Sequence, residues 1–247
     1  MDLSAFSAHA GPIMAVFAAS FLQAITGFGL VMVAAPLLMF FYDPRLVVLL
    51  VVLLASCGNA TQTLILRRAA RWDIVRRMFL GSLCAQPVGY FIYHHFPSEG
   101  IKLLVSVVIL ISLTTMQLSH WRFRQTARGD FIAGFLAGAM ATTTGMAGPV
   151  LILYFAAAGM TPATLRATTI SFFFCCNVLS VTTFLVGGAA LGEALHEVVF
   201  LLPGLVAGIA TGHIFFRYLP AARFRQILNV ILYIVCLYTI YGVWRRW

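Results

Sequence analysis

The segment AITGFGLVMVAAP, residues 24–36, decides how this chain must fold. It lies inside an uncharged apolar run over residues 11–42, and such a run is typical of a membrane helix. The same segment contains Gly27, Gly29 and Pro36, which weaken the interior of a helix. Because irregular backbone at membrane depth is tolerated only where protein or a water-filled cavity satisfies its polar groups, the segment predicts a helix break that serves a function.

The composition indicates a polytopic helical membrane protein. Of the 247 residues, 62% are hydrophobic and only 9% are charged, whereas about 25% of the residues of a soluble domain are charged. The net charge of +9 is explained by basic loops on the cytoplasmic side of a membrane, so we expect no nucleic-acid partner. Eight apolar runs, most of them close to the length of one helical crossing, fall at 11–42, 46–66, 78–96, 103–120, 131–160, 167–192, 198–216 and 226–244.

The second half of the chain resembles the first at fixed offsets in residue number. An offset of 118 pairs Gly27 with Gly145, Pro44 with Pro162 and Asn59 with Asn177, and an offset of 123 pairs Gly81 with Gly204, Gly89 with Gly212 and Pro97 with Pro220. Such pairs indicate a duplication, as in many transporters. We predict one repeat over 1–121 and a second over 122–247, which together form one transport domain.

The basic residues distinguish two topologies for the long runs 11–42 and 131–160. If both runs cross the membrane, the sixteen basic residues divide ten to six between the two sides. If both runs enter and return on one side, the division is twelve to four, the four being Arg45, Lys102, Arg245 and Arg246. The second division obeys the positive-inside rule better, so we predict both termini outside the cytoplasm. The predicted fold is an all-α polytopic membrane protein of two inverted repeats, each a broken or re-entrant helical hairpin followed by three transmembrane helices.

The tips of the two predicted hairpins are the candidate binding site. At about 1.5 Å per residue, each arm reaches roughly 20–24 Å, which is enough to reach the membrane midplane. Glycine allows close approach, threonine hydroxyls donate hydrogen bonds, and the helix that leaves each tip presents unpaired N–H groups to an anion. We therefore expect one small anion between the tips, with candidate contacts from Gln23, Thr26, Gly27, Phe28 and Gly29 in the first tip and from Thr143, Thr144, Gly145 and Gly148 in the second.

Three polar residues outside the tips are further candidates for substrate binding. Asn59 and Asn177 occupy matched positions in the runs that follow the broken ones, and Arg166 begins a run in the segment TPATLRATT. Each also has a structural explanation, because small and amide side chains stabilise helix packing in membranes and a long basic side chain can extend to the interface. All seven Asp and Glu residues lie at or near segment ends, so no carboxylate is placed as a proton or sodium site at mid-membrane.

Several motifs together resemble the TauE/SafE sulfite exporter family, also called the toluene sulfonate uptake permease family. They are TGFG followed by APLL, the counterpart GFLAGAMATTTGMAGP, the stretch LRATTISFFFCCN, and a pair of glycines eight residues apart near the end of each half. The resemblance covers essentially the whole chain. It implies a multi-pass carrier of small anions such as sulfite or organosulfonates in the bacterial inner membrane.

The predicted function is secondary transport of a small sulfur-containing or carboxylate anion, without a cofactor. A negative-inside potential helps anions to leave the cell, so export needs the least machinery, and proton coupling through a protonatable substrate is the alternative to facilitated diffusion. A homo-oligomer is compatible with the sequence. The alternatives are an intramembrane enzyme, for which no nucleophile with a base in reach is evident, and a membrane scaffold without transport.

Overall fold

The computed structural model describes residues 9–26, 29–118, 125–157 and 160–215, together with Tyr233, Cys236, Leu237 and Tyr241. Every regular element in these ranges is an α-helix, which confirms the predicted all-α class. Three stretches are long and apolar enough to cross a membrane, namely Pro44–Leu66, Ala163–Val186 and Leu191–Gly212. The arrangement of eight membrane segments therefore stays a prediction, and most of the last segment, 226–244, lies outside the described residues.

The helices follow one another along the chain with short connections. Several begin at capping residues: the Asp43 carboxylate accepts a hydrogen bond from the backbone N–H of Arg45 at 2.9 Å, and Pro44 occupies the first turn. The bounds are α1 Ala10–Thr26, α2 Leu30–Leu38, α3 Pro44–Leu66, α4 Trp72–His95, α5 Ser98–Leu118, α6 Ala127–Thr144, α7 Gly148–Ala157, α8 Pro162–Val186 and α9 Leu191–Phe215.

Both long apolar runs are broken, as the sequence predicts, and the breaks fall at matched residues. The last residue of α1 lies 118 residues before the last residue of α6, and the first residue of α2 lies 118 residues before the first residue of α7. Gly29 at the first break has φ 113° and Gly145 at the second has φ 76°, a left-handed conformation that costs little only for glycine. The arm that leaves each tip is shorter than the sequence suggests, because α2 has nine residues and α7 has ten.

Each broken run folds back on itself. A methyl group placed on Gly11, at the start of α1, would lie 2.7 Å from the ring of Phe41, just after α2. In the second run, the Tyr154 hydroxyl of α7 donates to the carboxylate of Asp130 near the start of α6 at 2.8 Å. The two runs are therefore helical hairpins, here called hairpin 1 (residues 10–38) and hairpin 2 (residues 127–157).

The two hairpins open at opposite ends of the helical bundle. Hairpin 2 opens at the end that carries residues 67–77, here called the arginine-rich end, where Arg77 Nε lies 2.8 Å from Asp130 Oδ2. Hairpin 1 opens at the other end, here called the opposite end, where α3 begins and α4 ends, and where the Arg45 guanidinium donates to the Phe96 carbonyl at 2.6 Å. Opposite entry is what an inverted repeat requires.

The packing between the two halves repeats at the same offsets as the sequence. Helix α4 of the first half packs against α6 of the second, and α9 of the second half packs against α1 of the first. Glycines allow both approaches, since a Cβ atom at any of them would collide with the facing backbone. The glycine contacts are Gly81 with Phe131 and Gly89 with Ala139 on one side, and Gly204 with Ile13 and Gly212 with Phe21 on the other. The facing residues in these pairs are also 118 apart.

Candidate functional site

A cavity lies where the tips of the two hairpins meet α3 and α8. The volume of the cavity, counted as the space that the centre of a water molecule can occupy, is about 40 Å³. One water molecule needs roughly 10–15 Å³ by the same measure. The cavity therefore suits a few water molecules or one small ion. Half of the predicted site residues line it: Gln23, Gly29, Asn59, Gly145, Gly148 and Asn177.

Two helix N-termini face this cavity from opposite directions. Residues 30–32, in the first turn of α2, line the cavity. The helical hydrogen bonds of α2 begin after them, where the backbone N–H of Val33 donates to the carbonyl of Gly29 at 3.0 Å. Gly148, the first residue of α7, lines the cavity from the other hairpin. The first N–H groups of a helix have no partner within the helix, and its dipole is positive at that end. Two such ends at one cavity favour a negatively charged occupant.

Three buried amide side chains complete the polar lining of the cavity. Gln23, Asn59 and Asn177 are 3%, 2% and 4% exposed. Gln23 Nε2 donates to Asn59 Oδ1 at 2.9 Å, and Gln23 Oε1 has no partner among the described residues. Rotating both amides by 180° keeps the hydrogen bond between them and turns the Gln23 NH₂ toward the present position of Oε1. The pair can therefore present either a donor or an acceptor to the cavity.

The structure does not bring every predicted residue to the cavity. The hydroxyls of Thr143 and Thr144 donate to the backbone carbonyls of Ala139 and Met140 at 2.7 and 2.9 Å, and neither residue lines the cavity. This bond to the preceding helical turn is a common alternative for a threonine inside a helix. Gly27, Phe28 and the side chain of Thr26 lie outside the described residues.

Arg166 lies beside the cavity rather than in its lining. One terminal nitrogen of its half-buried guanidinium donates to the carbonyl of Ala24 at 3.4 Å, and Ala24 is the neighbour of Gln23. The Nε atom is buried and has no partner within the described part of the chain. The guanidinium is therefore directed toward the tip of hairpin 1.

The apolar lining of the cavity is not among the site residues predicted from the sequence. Ala55 and Phe173 line it together with Asn59 and Asn177. Each lies four residues before the asparagine of its own helix and therefore on the same helical face. The two residues are also 118 apart, so the spacing of the asparagines and the repeat together could have identified them. The remaining lining residues are Leu30, Val31, Met32, Met146 and Ala147.

The open end of each hairpin, here called its mouth, is closed by a carboxylate. In hairpin 2, Asp130 is fully buried and accepts hydrogen bonds from Arg77, Gln125 and Tyr154 at 2.8, 2.9 and 2.8 Å. At hairpin 1, Glu197 of α9 accepts a hydrogen bond from the Tyr42 hydroxyl at 2.7 Å and lies 3.2 Å from His9 Nε2.

Comparison with known families gives a match. The family model described as Sulfite exporter TauE/SafE matches residues 13–239, a range that contains both hairpin tips and every residue of the cavity. The chain belongs to the TauE/SafE sulfite exporter family. No curated protein and no solved structure matches the chain. Membership in TauE/SafE indicates a membrane transporter or exporter of sulfur-containing anions rather than an enzyme.

Proposed function

We propose that this TauE/SafE member is a secondary transporter that carries sulfite or an organosulfonate through the cavity between the two hairpin tips. The observation that carries the proposal is the meeting of two helix N-termini and three buried amides in one small cavity. No charged residue is found among the described residues that line it. Neutral donors bind an anion without holding it too tightly for release, which transport requires.

The proposed mechanism is alternating access between two inverted repeats. Hairpins that open at opposite ends, and the repeated glycine contacts of α4 with α6 and of α9 with α1, support an inverted duplication. In such transporters the substrate site lies where the repeats meet, and rocking of one repeat against the other exposes it to each side in turn. We therefore assign the substrate site of this proposal to the cavity between the tips of hairpins 1 and 2.

The arginine-rich end faces the cytoplasm in this proposal, in the inner membrane of a bacterium. Five arginines lie in residues 67–77, and basic loops favour the cytoplasmic side. A negative-inside potential then drives anions outward, so the expected direction is export. Reporter fusions after residues 70 and 97 test this orientation: a cytoplasmic reporter at 70 and a periplasmic one at 97 are expected, and the reverse pattern contradicts it.

Transport itself is tested with purified protein in liposomes loaded with radiolabelled sulfite. Saturable efflux that accelerates under an imposed potential, and that sulfonates or small carboxylates inhibit, is the expected result. Asn177→Leu fills the cavity and should reduce efflux at least tenfold, because it removes a polar group and adds bulk where the substrate binds. Val178→Leu, on the outer surface of the same helical turn, is the matched control. Efflux no faster than from protein-free liposomes, or equal efflux in both variants, overturns the proposal.

A further inference from the structure

Buried polar atoms without partners are concentrated on one flank of the cavity. Three such atoms belong to residues on the cavity-lining faces of α3 and α8 toward the arginine-rich end, namely Gln62 Oε1, Arg166 Nε and Thr169 Oγ1. Ser171 Oγ lies on another face of α8, and Arg45 Nε lies at the opposite end. Helix α8 begins at this end, where its Thr168 hydroxyl accepts a hydrogen bond from the backbone N–H of Arg71 at 3.0 Å. Because buried polar groups are nearly always paired, a cluster of unpaired ones indicates space for water or a ligand.

Two of these residues continue the cavity-lining face of α8 toward the arginine-rich end. Arg166 and Thr169 precede Phe173 and Asn177 at spacings of three and four residues, so all four share one helical face. Seven residues separate Arg166 from Phe173, which corresponds to about 10 Å along the helix. Arg166 is thus the first charged side chain that a solute leaving the cavity along this face would meet.

Helix α3 supplies the facing wall of this flank. It packs against α8, and the Thr63 hydroxyl lies 3.5 Å from the carbonyl of Ile170. Gln62 follows Asn59 by three residues, so the cavity-lining face of α3 also continues toward the arginine-rich end. Gln62 is 5% exposed and its Oε1 has no partner in the described ranges. The flank is therefore bounded by polar groups on both helices.

Among the described residues, the other flank of the cavity has no cation at the position that matches Arg166. Arg45 lies three residues closer to the start of α3, and its guanidinium donates to the carbonyls of His94 and Phe96. The offset of 118 residues places Val48 of α3 in the position that corresponds to Arg166 of α8. Val48 is fully buried, and its carbonyl lies 3.7 Å from where a Cβ atom on Gly145 would be. The two hairpin tips are alike, but the residues beside them differ by one positive charge. This charge lies on the side of the arginine-rich end.

We propose that Arg166 and Thr169 form a second anion position, through which the substrate enters the central cavity from the arginine-rich end. The inference rests on the proposed transport function and adds the end of the molecule from which the substrate reaches the cavity. One guanidinium nitrogen of Arg166 is held by Ala24, and the buried Nε is available to an oxyanion together with the Thr169 hydroxyl. Attraction by the guanidinium raises the occupancy of this position from one end of the molecule only.

The test measures half-saturating sulfite concentrations separately from each end, in liposomes that hold the protein in one known orientation. Arg166→Gln should raise the value from the arginine-rich end about tenfold and change it less than about twofold from the opposite end, because a charge-assisted hydrogen bond is lost on one side only. Arg166→Lys keeps the charge and should recover most of the difference. Arg76→Gln removes an exposed charge from the same end and should leave both values unchanged.

Thr169→Val keeps the proposal testable if Arg166→Gln does not fold. This substitution removes a hydroxyl that has no partner, so the midpoint of thermal unfolding should stay the same or rise, while the half-saturating concentration from the arginine-rich end rises about threefold. A purely structural role for these residues predicts a lower unfolding midpoint and equal effects from both ends. Equal effects, or none for Thr169→Val, overturn this inference and leave the proposed function standing; absence of sulfite flux in the unmodified protein overturns both.

Discussion

Hairpin 1 and hairpin 2 are alike at their tips and different at their mouths. Both break at residues 118 apart, and both place a left-handed glycine and a helix N-terminus at one cavity. At the mouths, hairpin 2 is closed by a fully buried Asp130 with three donors, whereas hairpin 1 is closed by Glu197, whose side chain is 18% exposed. Both tips line the proposed binding cavity and are therefore constrained by the same ligand, whereas the contacts that close the mouths do not touch that cavity and can differ. This difference predicts that hairpin 1 is the easier of the two to move.

The largest effect is expected at the tip of hairpin 2. Gly145→Ala places a Cβ atom 2.6 Å from Val51 Cγ2 and keeps a left-handed φ of 76°, a conformation that costs about 1–2 kcal/mol in a non-glycine residue. The tip must shift, so sulfite flux should fall at least tenfold, since misplacement by about 1 Å disrupts a binding geometry. Flux in liposomes and the amount of protein inserted in membranes check this result.

Gly188 is the matched control for backbone strain. It has a φ of 75°, but a Cβ atom there would meet nothing within 4 Å. Gly188→Ala should therefore lower the unfolding midpoint slightly and preserve flux. If both alanine variants lose flux to the same extent, the strain of the glycine conformation and not the tip accounts for the effect.

The second-largest effect is a difference in stability between alanine variants of the two matched asparagines, Asn59 and Asn177. Asn59→Ala leaves the buried amide of Gln23 without its partner and should lower the free energy of unfolding by about 1–3 kcal/mol. The Asn177 side chain makes no hydrogen bond to another described residue, so Asn177→Ala should cost much less stability and still raise the half-saturating sulfite concentration. Thermal unfolding and flux measured on both variants test this split. Equal loss of stability would indicate a partner for Asn177 within the protein.

The third effect compares the two mouths directly. Tyr154→Phe removes a donor to the fully buried Asp130 and should cost about 2 kcal/mol, whereas Tyr42→Phe removes a donor to the more exposed Glu197 and should cost about 1 kcal/mol or less. Hydrogen exchange of α2 and α7 gives a second measure, with faster exchange expected in α2. Faster exchange in α7 would contradict the proposal that hairpin 1 moves more easily.

The smallest effect concerns pH at the arginine-rich end. Asp73 precedes the apolar run 78–96, and its hydrogen bond with Arg71 lowers the pKa of its carboxyl from 3.8 to about 2. A lowered pKa means that the carboxylate stabilises the fold above pH 4 and that this contribution is lost as pH falls from about 4 to 2. Asp73→Asn should lower the unfolding midpoint slightly between pH 5 and 8, where the carboxylate contributes fully, and should make the midpoint less dependent on pH between about 4 and 2. The effect is small because the side chain is 46% exposed.

The repeat made much of the fold and part of the site predictable. The positions of the helix breaks, and the presence of Asn59 and Asn177 at matched positions, follow from residues that recur at an offset of 118. Hydroxyls can donate to an anion, which is why the sequence predicts Thr143 and Thr144 in the site, but inside a helix they donate to the preceding turn. The inward orientation of Arg166 could not be predicted, because it depends on a carbonyl 142 residues away in the chain.

The exchange of partners between the two halves has a consequence for how the protein is made. Gly81 and Gly89 of α4 form a notch that α6 fills, and the last residues of α6 are synthesised more than 50 residues later. The first half therefore leaves the ribosome with one packing surface uncovered and with α1 still lacking α9. A single copy of the repeat could cover both surfaces only by pairing with a second copy in the opposite orientation. This chain carries both halves in one polypeptide, so neither half is expected to fold by itself.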